Sequence, residues 1–125
     1  MSIHPHPGEA PLTPPTPRPW GIVMPERQSA AVLRVVLTDR SVSFPWSEIR
    51  RWEHVAGNPE TLVIVVGRET VTVVGEQLAE IRTALDLSRL QELRQTPCEG
   101  RMRVGPQVRK ITVEPSQAEM RRPSH

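Results

Sequence analysis

The stretch from residue 60 to residue 74 constrains the fold of this chain more than any other. Glu60–Val66 reads Glu-Thr-Leu-Val-Ile-Val-Val, a run dominated by β-branched side chains that crowd a helix but pack well on a pleated surface. Gly67-Arg68 then reverses the chain. In the segment that follows, Thr70 and Thr72 alternate with Val71 and Val73, as in a strand with one wet face. Together they form a hairpin.

A second hairpin precedes it. Residues 31–37 read Ala-Val-Leu-Arg-Val-Val-Leu, a strand rich in apolar side chains, and Asp39-Arg40 is a turn signal. Residues 41–44 alternate until Pro45 stops them. Between the hairpins, Trp46, Ile49 and either Trp52 or Glu53 fall at helical spacing after Pro45, with Ser47 as a cap and Glu48 as the early acid; a strand starting near Arg50 is the alternative. Gly75 breaks the fourth strand and opens a helix reaching about Asp86, with Leu78, Ile81 and Leu85 as its apolar stripe. Residues 87–95 form either a second helix capped by Ser88 or an edge strand. Residues 108–113 return to β, and Pro115 closes the domain. This order predicts an α+β fold: a mostly antiparallel sheet or small open β-barrel of about five strands, packed by one main helix.

Proline sets the domain boundary. Eight of the 14 prolines fall between Pro5 and Pro25, where each fixes φ and removes an amide donor. Residues 1–27 are therefore expected to be a disordered proline-rich arm, residues 28–115 one small domain, and residues 116–125 a polar, disordered tail. The arm carries the spacings Pro11-x-x-Pro14 and Pro14-x-x-Pro17 beside Arg18. That is a polyproline-II ligand pattern, although a semi-rigid solvated tail has the same composition.

Two strands have more apolar faces than one helix can cover. Leu33, Val35 and Leu37 oppose Val32 and Val36; Leu62, Ile64 and Val66 oppose Val63 and Val65. A homodimer or protein partner would cover the second face, as would the segment holding Trp46 and Trp52. Val32, Val36, Val63, Val65, Trp46 and Trp52 are accordingly the candidate interface residues.

Charge divides the chain. Residues 28–86 carry six Arg against eight acidic residues, whereas residues 87–125 carry seven Arg and one Lys against four Glu. Arg101, Arg103, Arg109 and Lys110 are candidate phosphate contacts, giving nucleic acid as the alternative partner. No aromatic residue falls in that region to stack on bases. The arginine excess over lysine reads as the codon bias of a GC-rich, bacterial genome.

Catalytic and metal sets are not legible. His4-x-His6 has no further ligand nearby, and Glu53-His54, as neighbours, would point apart in a strand. The single cysteine, Cys98, sits beside Glu99, which disfavours a thiolate, and precludes an internal disulfide. No apolar run reaches the roughly 18 residues of a membrane helix, and no signal-peptide pattern opens the chain. The sequence thus predicts a cytoplasmic, non-catalytic interaction or accessory module without cofactor or metal.

Overall fold

The computed structural model describes residues 14–97 and 105–115. Among the described residues, nine strands build two open sheets. The first joins β1 (Thr16–Arg18), β2 (Gly21–Val23), β3 (Val32–Val36), β4 (Ser41–Pro45) and β8 (Leu90–Arg94) in the order β1-β2-β8-β3-β4. The second joins β5 (Ile49–Val55), β6 (Glu60–Val66), β7 (Glu69–Glu76) and β9 (Gln107–Pro115) in the order β5-β6-β7-β9. Only β3 and β8 run parallel; every other pair is antiparallel. One helix, α1 (Ala79–Asp86), links β7 to β8.

Both hairpins form where the sequence places them. Leu33 pairs with Phe44 and Val36 with Ser41 in the first, and Ile64 with Val71 in the second. Gly67 adopts φ +58 at the β6–β7 turn, where a primed hairpin turn needs a residue without a Cβ. The β5–β6 connection contains a cis Asn58–Pro59 peptide.

The expectation of about five strands in one sheet is too small. The chain changes sheets at a short 3₁₀ turn, Trp46–Glu48, which follows Pro45. The Trp46 amide bonds to the Ala31 carbonyl at 2.9 Å and the Glu48 carbonyl accepts the Gly67 amide at 2.8 Å, so the corner is tied to both sheets. Residues 49–55 continue as β5 rather than as a helix. The sheets then cover one another: Leu33 and Val35 from the first meet Leu62, Ile64, Val66, Val71 and Val73 from the second in one buried cluster. Among the described residues neither sheet closes into a barrel, and β1, β4, β5 and β9 are the edges.

The arm boundary also moves. Residues 16–23, expected to be disordered, form the β1–β2 hairpin, and Trp20 at its turn is only 2% exposed within the core. Proline is tolerated there because β1 is an edge strand, whose outer amides need no partner. Pro11, the two histidines His4 and His6, Cys98 and residues 116–125 lie outside the described residues.

Helix α1 is shorter than expected. Gly75 and Glu76 remain in β7, and Gln77 at φ +56 turns the chain before Leu78. Leu78, Ile81 and Leu85 are fully buried, as their spacing requires. Ser88 ends this helix instead of starting another. At φ +58 it donates its amide to Leu85, while Arg89 donates to Ala84. This is the Schellman arrangement, which satisfies orphan carbonyls at a helix end. β8 follows directly.

Candidate functional site

Pairing registers assemble a grid of side chains on the outer face of the second sheet. One row crosses β5, β6, β7 and β9 as Arg51, Val65, Thr70 and Glu114. The next reads Glu53, Val63, Thr72 and Thr112, and the third Val55, Thr61, Val74 and Lys110. Residues between these on each strand point into the core, since side chains alternate along a strand. The middle two strands therefore offer half-buried Val and Thr, while Arg51, Glu53, Glu114 and Lys110 are exposed along the two edges. Val55, at 46% exposure, is one of two large hydrophobic residues exposed among those described.

The six residues expected to form an interface do not come together. Val63 and Val65 lie at the centre of this grid. Val32 and Val36 lie on the outer face of the first sheet, beside Arg34. Trp46 and Trp52 pack partly buried against the core, edge to face, with ring centroids 6.0 Å apart. Their indole N–H groups donate to the Leu90 carbonyl at 2.8 Å and to Asp86 Oδ1 at 2.7 Å. Both polar tips are thus used inside the chain.

Of the four candidate phosphate contacts, Arg109 and Lys110 lie among the described residues, and Arg109 alone has an ion-pair partner there. Arg89 donates to the Met24 carbonyl at 2.8 Å and Arg109 pairs with Glu76 at 2.8 Å. Arg94 and Arg34 flank Glu92, which points to the outer side of the first sheet yet is only 4% exposed. The two guanidinium groups supply the hydrogen bonds that such a buried carboxylate needs. Lys110 stands on the grid without an ion pair among the described residues, and Arg101 and Arg103 lie outside them.

Glu53 and His54 point apart, as expected for neighbours in a strand. Glu53 pairs with Arg51 at 3.4 Å on the outer face, while His54 turns toward α1. There the His54 Nε2–H donates to Glu60 Oε1 at 2.8 Å. Glu60 also accepts the amides of Leu78 at 2.9 Å and Gln77 at 3.1 Å. A carboxylate from β6 thereby caps the amino end of α1, where positive dipole favours negative charge. The His54 bond first, and the Leu78 amide next, hold the Glu60 carboxyl below the usual glutamate range.

The resulting stabilisation is complete above the ordinary glutamate value of about 4.3 and is lost as pH falls below it. Glu60→Gln is expected to lower stability by about 1 kcal/mol at pH 7. Denaturant titration should find that difference much reduced at pH 3. An equal difference at both pH values would show that the charge contributes nothing.

No protein-family model, curated protein or solved structure matches this chain. Among the described residues no group of three or more His, Cys, Asp or Glu is arranged to hold a metal ion, and no helix is long and apolar enough to cross a membrane. The site that its sequence composition only half revealed is the Val/Thr grid. Its charged edges come from β5 and β9, which the sequence alone does not place beside the central hairpin.

Proposed function

We propose that this chain is a non-catalytic protein-interaction module that docks through the outer face of the second sheet. The supporting observation is the composition of that face in space: a Val/Thr centre on β6 and β7 with charged residues along β5 and β9. A less polar centre flanked by charged edges matches the core-and-rim anatomy of a protein interface. A nucleic-acid reading draws less support, because Arg89, Arg94 and Arg109 are engaged by partners within the chain.

Val63→Lys tests the docking face by placing an ammonium group at its centre. Tagged wild-type chain, recovered from nuclease-treated extract of its native host, should retain bound protein that the Val63→Lys variant loses. Ser43→Lys, on an exposed position of β4 in the other sheet, should behave as wild type. Unfolding midpoints of all three should agree within a few degrees. Identical capture by the Val63→Lys variant would remove the face from the account.

A further inference from the structure

The grid is complementary to itself, and we propose that its partner is a second copy of this chain. This pairing rests on the docking reading above and specifies its geometry. Consider a two-fold axis parallel to the strands and running between β6 and β7. It reverses the strand order but keeps each row opposite itself, so β5 lies over β9 of the second copy and β6 over its β7. Arg51 then faces Glu114 of the second copy, and the symmetry repeats that contact on the other edge. Val65 faces Thr70, Val63 faces Thr72, and Thr61 faces Val74. Lys110 lies over Val55 of the second copy, where its methylene stem covers the exposed apolar side chain of the grid.

No like charges meet in this arrangement. The other in-plane axis, perpendicular to the strands, would bring Glu114 over Lys110 of the second copy, but it would also stack Glu53 on Glu53 and leave Arg51 over Val55 with no acid to face. The parallel axis pairs opposite charges and brings no like charges together. Sheets packed this way keep their strands within about 30° of one another, which matches the natural twist.

The area places this contact among small interfaces. Four strands spaced about 4.8 Å apart span roughly 19 Å, and the seven residues of β6 span about 23 Å. The projected face is then roughly 440 Å² per copy, below the about 800 Å² per partner of a standard interface. Association should be reversible and visible at micromolar concentration.

Sedimentation velocity of the full chain from about 10 to about 500 µM reads the equilibrium directly. The weight-average mass should climb from 14.1 kDa toward twice that value. Arg51→Glu and Glu114→Arg should each weaken the dimer at least tenfold while leaving the unfolding midpoint unchanged, since both side chains are exposed. The double variant, Arg51→Glu with Glu114→Arg, should dimerise like wild type. A monomer across the whole range, single variants without effect, or a double variant no better than either single one would each overturn the pairing. If the chain stays monomeric while Val63→Lys still abolishes capture of a host protein, the self-pairing fails and the docking face stands. If Val63→Lys changes neither property, both fail.

Discussion

Trp20→Ala is expected to lower the stability of the fold by about 3–5 kcal/mol. The indole lies in the common core, and its own carbonyl accepts the Arg94 amide at 2.8 Å. Trp20 thereby anchors the β1–β2 turn to β8, the strand that also pairs with β3. Truncation leaves a cavity between the sheets that the surrounding strands, fixed by their ladders, cannot collapse to fill. A domain of this size has on the order of 5–10 kcal/mol in total, so the loss is a large share of it. Urea unfolding should show a much lower midpoint with little change in slope. A variant within about 1 kcal/mol of wild type would mean that the proline-rich segment contributes nothing to the core.

Trp20 also shows how the sequence misleads. Proline density argues for disorder, and residues 16–23 fold regardless, because an edge strand does not need the amides that proline lacks. The legible signal there was a tryptophan followed by Gly21, Ile22 and Val23, an apolar cluster inside a polar arm. Similar reasoning explains the ambiguity at residues 46–54. The β5–β6 register shifts between Ile49 and Arg51, and such a bulge breaks the period of two. Ile49 and Trp52 then share the inner face at a spacing of three, which imitates a helix. Residues 90–94 behave likewise: Leu90 and Leu93 are both buried across a shift in the β2–β8 register.

The hairpins were readable because their contacts are local: turn residues and alternation fix them within a few positions. The pairing of two sheets was not, since it depends on a corner at residues 46–48 and on β8 inserting between β2 and β3. The proposed docking face divides along the same line. Thr70 and Thr72 could be placed on outward positions from periodicity, and the two-residue turn at Gly67-Arg68 carries Val65 and Val63 opposite them. Their charged frame could not, because Arg51 and Glu53 arrive through a bulged strand and Lys110 and Glu114 through the last one. Two apolar faces on β3 and β6 suggested a single excess surface. Sheet-on-sheet packing instead divides it into two outer faces, separating Val32 and Val36 from Val63 and Val65.

Gly75→Ala should cost about 3 kcal/mol, the upper part of the range for overpacking. Gly75 lies at the point where the β7–β9 register shifts, paired with Val108. A Cβ added there would overlap the backbone carbonyl oxygen of Gln107. Backbone cannot rotate away as a side chain can, so relief requires β9 to move. Gly105 provides the contrast: its nearest neighbour to an added Cβ is Glu80 Oε1 at 4.0 Å, and only its φ of +95 opposes substitution. Gly105→Ala should therefore cost only about 1–2 kcal/mol. Because β9 carries Lys110, Thr112 and Glu114, displacing it removes one edge of the grid. Gly75→Ala should thus weaken self-association as well as stability, with faster amide exchange along β9 at Ile111 and Val113. Gly105→Ala should leave association intact. Equal and small stability losses in the two variants, with unaltered exchange on β9, would refute the close approach at Gly75.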